Sequence, residues 1–175
     1  VRQLYEHVRQ RDMDPFRVMV TVCDADSLFD TVFLEQVEGE FWRQPDGRRF
    51  IYNSPINTHR NLPACNPIVM VFAQLRCQSE AFANLEFLQV ESNYSLTLGL
   101  AHDIDYWDPT NTSEDYHMMS KVMASTGGGK IVVVQVWSLI LNDSVCSLQD
   151  RWVQAKRHMW GIEEVAWAFI LYPHL

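Results

Sequence analysis

Two apolar runs rich in β-branched residues stand out from an otherwise mixed pattern. "FRVMVTVC" (16–23) and "KIVVVQVWSLIL" (130–141) are continuous rather than alternating, which predicts strands buried on both faces. Helical spacing fills much of the rest. Leu4, Val8 and Tyr5 share a face in residues 3–10, and "DTVFLEQVEGEFWR" (30–43) carries a second helical pattern. Ile68, Phe72, Leu75, Phe82 and Leu85 predict one long helix or two between 68 and 90. "NYSLTLGLAH" (93–102) reads as a shorter helix that follows. Another helix is predicted to start near Thr112, where Thr112-x-x-Asp115 fits a capping box, and to stop at Gly127-Gly128-Gly129. Ser147-x-x-Asp150 is a second capping box, opening a helix through "RWVQAKRHMWGIEEVAWAF". Asp46-Gly47 signals a turn, and the Pro- and Asn-rich segment 53–67 reads as loop.

Strands alternating with helices place the chain in the α/β class. Ligands of such sheets gather outside the carboxyl ends of strands. Asp24 and Asp26 follow the first apolar run directly and fall at such an end, as does whatever follows the second run.

Composition narrows the field. A chain of 175 residues, 47% hydrophobic and 21% charged, suffices for one domain with a substantial core. A net charge of -8, with 14 basic against 22 acidic residues, argues against a nucleic-acid binder. The four cysteines are dispersed and form no CxxC pair, which points to a reducing compartment rather than a disulfide framework or zinc site. The charged amino end is no signal peptide, and no apolar stretch is long enough to span a bilayer. A chain that lacks an initial Met and ends on "AWAFILYPHL" is expected to be a fragment of something longer.

Three constellations carry candidate chemistry. Asp24 and Asp26 offer the hard oxygen ligands that Mg²⁺ or Mn²⁺ prefers, with substrate phosphates completing the shell. The bland alternative is a strand-ending turn, since Asp favours turns. Glu114 and Asp115, at a helix start, place a carboxylate where a general base is useful, although the helix dipole alone favours acids there. On the last helix Arg151, Gln154, Arg157 and His158 recur at three- and four-residue spacing and form a polar stripe. Arg suits phosphate oxygens, and Trp152 or Trp160 offers a flat apolar face; a solvated amphipathic face is the competing account. Other signals fail. "STGGGK" lacks the Ser or Thr that a phosphate loop needs after its Lys, neither HExxH nor GxSxG occurs, and Asp103, Asp105 and Asp108 read as a solvated loop.

The order of the three is more specific than any one of them. "DADSLF", "PINTHRN", "YSLTLGLAHDIDYWDPTNTSEDYHMMSKV" and "QAKRHMWGIEE" extend across most of the chain. Together they resemble the family 2 glycosyltransferases, in a membrane-associated branch. The resemblance implies a GT-A-like mixed sheet flanked by helices, incomplete at its amino end. It implies one partial catalytic domain over 1–175, with a DxD strand (16–29), an acceptor and base region (93–125) and a Gln-x-x-Arg helix (147–165). Asp26, helped by Asp24, would hold Mg²⁺ or Mn²⁺ on the diphosphate of a nucleotide-sugar donor. Asp115, with Glu114 beside it, would take the proton of an acceptor hydroxyl on a glycan or lipid, with inversion at the anomeric carbon. Gln154 and Arg157 would serve the diphosphate and acceptor, Trp107 would rim the acceptor pocket, and Trp160 would lie close by.

Two departures follow from the same resemblance. His158 stands where processive members carry Trp, and Asp105-Tyr106 stands where Gly-Gly often precedes the Trp. The full-length protein would be membrane-associated through flanking segments, its catalytic domain facing the cytoplasm. A transferase-like module that binds a glycan or protein without catalysis is the rival from another class. A metal-dependent nucleotidyltransferase or phosphohydrolase ranks third, because it would not need the Gln-x-x-Arg helix.

Overall fold

The computed structural model describes residues 1–86, 90, 92–109, 111, 113–127 and 132–171; the side chains of 79–86, 160–169 and 171 are outside that description. Its helices are α1 (Arg2–Gln10), α2 (Phe33–Arg43), α3 (Pro67–Glu86), α4 (Leu98–Asp103), α5 (Glu114–Ser125) and α6 (Leu148–Leu171). Its strands are β1 (Met19–Val22), β2 (Leu28–Phe29), β3 (Ile51–Asn53), β4 (Ile56–Asn57), β5 (Tyr94–Thr97), β6 (Val133–Gln135) and β7 (Ile140–Leu141). They form a four-stranded sheet in the order β1-β5-β3-β6 and a three-stranded sheet in the order β2-β7-β4. Both sheets are mixed: β3 runs parallel to β6 and β4 to β7, while the other pairs are antiparallel. The expected mixed α/β architecture, with sheets flanked by helices, is therefore what the chain adopts.

Alternation along β3 and β6 explains the layering. Ile51 and Val133 join a core with Tyr94, Leu96, Leu100, Met118 and Val122, beneath α4 and α5. Tyr52 and Val134 point the other way, into a second core with Phe33, Val37 and Ile140 beneath α2. Successive side chains of a strand take opposite faces, so these two strands are apolar on both.

The central strand β5 is fully buried along its length, and it corrects the helix expected over 93–102. Its polar side chains are satisfied: the Ser95 and Thr21 hydroxyls lie 2.8 Å apart across the sheet, and the Thr97 hydroxyl donates to the Arg48 carbonyl in the helical turn Gly47–Arg49 at 3.1 Å. Thr97 also caps α4, accepting from the Leu100 N–H at 3.1 Å. Two residues after Thr97, Gly99 lets the helix meet a ring closely; a β-carbon there would fall 2.6 Å from Phe16.

Other expectations are corrected in the same way. β1 is half-buried rather than covered on both faces, because it lies at the end of its sheet and pairs with β5. The run 130–141 is two short strands in different sheets, and its first two residues lie outside the described chain. The break mirrors Ser54-Pro55 between β3 and β4. Proline cannot donate to a ladder, and the register moves from Asn53↔Gln135 to Ile56↔Ile140 across it. The segment 53–67, expected as loop, holds β4 and ends in α3. That helix is single, but Ile68, Phe72 and Leu75 are exposed, and Val69 and Ala73 face inward instead. Ser147 does cap α6, its hydroxyl accepting from the Asp150 N–H at 3.0 Å and donating to the Asp150 carboxylate at 2.6 Å. Among the described residues no helix is long and apolar enough to cross a membrane.

Candidate active site

The carboxyl ends of β1, β3 and β6 share one edge of the four-stranded sheet with the amino end of antiparallel β5. Beyond β1 the chain turns at once, the Ser27 N–H donating to the Asp24 carbonyl at 3.1 Å. Buried Asn93, just before β5, organises that turn. Its side-chain oxygen accepts from the Asp24 N–H and the Ser27 hydroxyl, both at 2.9 Å. The segment after β7 holds the carboxylates. The Asn142 amide donates to Asp24 Oδ2 at 3.4 Å, and the Asp143 N–H donates to Asp26 Oδ2 at 3.0 Å. Arg60 grips Asp143 with two bonds, at 2.8 and 2.7 Å. That contact holds the Asp143 carboxyl below its ordinary pKa and, with the charge of Asp26 added, the Arg60 guanidinium above its own.

Asp24-Ala25-Asp26 is thus a turn whose carboxylates are anchored from outside it. Asp24 is exposed and Asp26 half-buried. Among the described residues no group of three or more His, Cys, Asp or Glu is placed to hold a metal ion. Two carboxylates of this kind fit a hard divalent cation only when substrate oxygens supply the remaining ligands, which is the usual arrangement for Mg²⁺ on a diphosphate.

The second acidic group belongs to the same edge. Glu114 and Asp115 open α5, both half-buried. Burial is the main cause that pushes both carboxyls above their usual range, and the charge of Asp24 pushes each further the same way. The Tyr116 N–H, donating to Asp115 Oδ1 at 2.8 Å, and the charge of Arg76 oppose the rise at Asp115. Thr112, the expected cap, lies outside the described residues; Ser113 takes the cap position without a side-chain bond.

Trp107 stands beside this pair. Its indole N–H donates to the Tyr94 hydroxyl at 2.7 Å, and Tyr94 in turn feels Glu114 and Asp115. The two residues before Trp107 are left-handed, with φ of 57° at Asp105 and 56° at Tyr106. Non-glycine residues there are strained by about 1–2 kcal/mol each, and this is where the resemblance expects Gly-Gly. Lys121 braces the strain, its ammonium donating to the Tyr106 carbonyl at 2.6 Å and the Asp105 carbonyl at 3.4 Å. The Tyr106 hydroxyl also meets His102 Nδ1 at 2.9 Å.

On α6 the Arg151 guanidinium donates to Gln154 Oε1 at 2.6 Å. Partial desolvation and the charges of Arg76, Arg157 and Arg151 hold His158 below its ordinary pKa, so its ring is neutral at pH 7. The Trp160 side chain lies outside the described residues. Arg76, on α3, acts on both Asp115 and His158 and so connects the acidic edge to the α6 stripe. An apolar recess of about 280 Å³ lies elsewhere, lined by Phe16, Leu34, Phe41 and Trp42 among others and by none of these residues.

Several members of this arrangement carry no sequence motif. Arg76 sits in an unremarkable helix, and Asn93 precedes a strand that reads as helix. Asn142 and Asp143 had a signal, because they follow a β-branched run and so fall at a strand's carboxyl end. Arg60 lies within "PINTHRN", where nothing indicates that its partner is 83 residues away.

A family profile described as glycosyl transferase family group 2 matches residues 19–175. No curated protein matches the chain.

Proposed function

Because the chain belongs to glycosyl transferase family group 2, whose role is to move a sugar from a nucleotide-sugar donor to a glycan-type acceptor, we propose that it is an inverting, metal-dependent transferase working at the β1–β5 edge. The observation that carries this reading is the proximity of two acidic groups in unlike environments. The strand-end carboxylates of exposed Asp24 and half-buried Asp26 are bonded in place, while Asp115 is desolvated and close enough to feel Asp24.

Roles follow from those environments. Asp24 and Asp26 would hold Mg²⁺ or Mn²⁺, which would supply positive charge against that developing on the leaving diphosphate. Asp115 accepts the acceptor's hydroxyl proton as the new oxygen–carbon bond forms at the anomeric carbon. The bond to the diphosphate oxygen breaks with its electron pair leaving on that group. A carboxyl whose pKa is raised is a stronger base once ionised, which suits this step. Glu114 lies beside that base, and the charge of Asp115 adds to the burial that raises its own carboxyl. Arg157 and Arg76 supply positive charge toward the phosphates, Gln154 orients the Arg151 end of the stripe, and Trp107 gives an acceptor sugar a flat apolar face. Trp160 is assigned to the acceptor side as well. His158, neutral and polar where processive members have Trp, favours limited rather than repeated transfer. Lipid as well as glycan acceptors, and membrane attachment through flanking segments with the site toward the cytoplasm, belong to the same proposal.

Calorimetric titration of nucleoside diphosphates into the protein, with and without Mn²⁺, tests the reading. Binding that requires the metal and falls at least about tenfold in Asp26→Ala is expected. Metal-independent binding, or an unchanged affinity in the folded variant, sinks the metal role of Asp26.

A further inference from the structure

One pair of side chains close to this edge has no part in the transfer chemistry. Cys65 follows the short helical turn Leu62–Ala64, and Cys146 lies two residues before α6. Their sulfurs are 3.2 Å apart although 81 residues separate them in sequence. The backbones are stitched together around them. The Asn66 N–H donates to the Cys146 carbonyl at 2.9 Å. Asn61 and Ser144 exchange two bonds, both at 2.7 Å. Arg60 and Asp143 close the row with their paired contact. Both thiols are free, and the other cysteines are placed differently: Cys23 is exposed, and the Cys77 sulfur lies 3.4 Å from the Thr58 hydroxyl.

We propose that Cys65 and Cys146 form a modification site, a dithiol that closes reversibly to a disulfide and thereby clamps the segment holding Asp24 and Asp26. The bond requires nothing from the transferase reading; only its effect on nucleotide binding rests on it. Cys146 is the more accessible thiol and meets the oxidant, a peroxide. Its thiol gives up a proton, the thiolate attacks one peroxide oxygen and the O–O bond breaks; a sulfenic acid forms, and the departing hydroxide takes up that proton as the first water. Cys65 then loses its proton and attacks the Cys146 sulfur. The S–O bond breaks, and hydroxide leaves and takes up that proton as a second water. Two thiols have given up two electrons and two protons to one peroxide. A small thiol reverses the change by exchange. Burial and the contact with Cys146 push the Cys65 thiol up to about 11, which suits a resolving partner kept protonated until the sulfenic acid forms beside it.

The clamp reaches the candidate metal site through a short segment. Asn142 and Asp143 hold the two carboxylates, and Cys146 is only three residues beyond Asp143. Fixing that segment to the turn before α3 reduces the ordering that ligand binding must impose.

Treating the whole protein with one equivalent of hydrogen peroxide, then alkylating and digesting it, tests the pairing by mass spectrometry. A Cys65–Cys146 cross-linked peptide that dithiothreitol abolishes is expected, with Tm raised by about 5 °C or more in the oxidised form. Cys146→Ser should give neither. Cys65→Ser should leave a Cys146 sulfenic acid that dimedone traps, which keeps the test open if one variant folds poorly. Both thiols remaining alkylatable, or cross-links spread among all four cysteines, would overturn the assignment. The clamp predicts Mn²⁺-dependent diphosphate affinity at least about threefold tighter in the oxidised protein. An unchanged affinity removes the clamp and leaves the disulfide. A cross-link in protein that binds no diphosphate in either state removes the transferase reading instead.

Discussion

The two acidic segments at the sheet edge are chemically alike and physically opposite. Asp24-Ala25-Asp26 caps a strand at the surface. Each of its carboxylates accepts one bond through Oδ2 from the segment after β7, and Asp24 is open to solvent. Glu114-Asp115 begins a helix, is half-buried, and has both carboxyls pushed upward. An anchored pair with one member open to solvent suits a cation that substrate oxygens can also reach, whereas a desolvated pair binds a proton more readily. Residue type selects the candidates, and under the proposed roles their different surroundings would divide the labour between them.

The sharpest way to break this contrast is Asp115→Asn. Transfer, followed as nucleoside-diphosphate release from a donor panel, should fall by about 10²–10⁴-fold. Melting temperature at neutral pH should rise, because a desolvated charge is removed. A variant that keeps its rate would exclude Asp115 as the base. For Asp26→Asn the expected pattern is the reverse: Tm little changed, and metal-dependent binding lost.

The pH dependence separates the segments next. Carboxyls raised in the folded state bind protons more tightly there than in the unfolded chain. Their stabilising contribution is complete below the ordinary carboxylate range and is lost as pH rises through the raised values. The native protein should therefore lose stability with rising pH across that window, while transfer rises as Asp115 ionises. Glu114→Gln/Asp115→Asn should flatten the stability slope. Thermal melts from pH 4 to 7 decide it, and a slope unchanged in the double variant would assign the effect elsewhere.

The smallest effect concerns helix starts. Ser147→Ala removes a formed side-chain cap and should destabilise by about 1 kcal/mol in urea melts. Ser113→Ala, at a cap position with no side-chain bond, should be close to neutral. Equal losses would show that Ser113 caps α5 in solution.

Much of the frame was legible in the residues. Helical spacing identified α2 and α3, start and stop signals identified α5 and α6, and Ser147-x-x-Asp150 announced a cap that forms as expected. Short strands were less readable. β5 has four residues whose alternation, Tyr-Ser-Leu-Thr, is too brief to outweigh the apolar spacing that continues into α4. The exposed stripe of α3 shows a second limit. Ile68, Phe72 and Leu75 mark a helix, but its neighbours cover the face bearing the smaller Val69 and Ala73.

The sequence by itself determined the class of fold, the carboxylates at a strand end, the acids at a helix start and the Gln-x-x-Arg stripe, because each depends on residues within a few positions of one another. Only the tertiary structure decided that Asn93, Asn142 and Arg60 order the first carboxylates. It also decided that the charge of Arg76 reaches both Asp115 and His158, that Lys121 bonds the strained loop before Trp107, and that two cysteines 81 residues apart touch. Those contacts follow from strand order and crossovers. Desolvation likewise exists only after the core has closed over α5, so two equivalent acid pairs became unlike through packing alone.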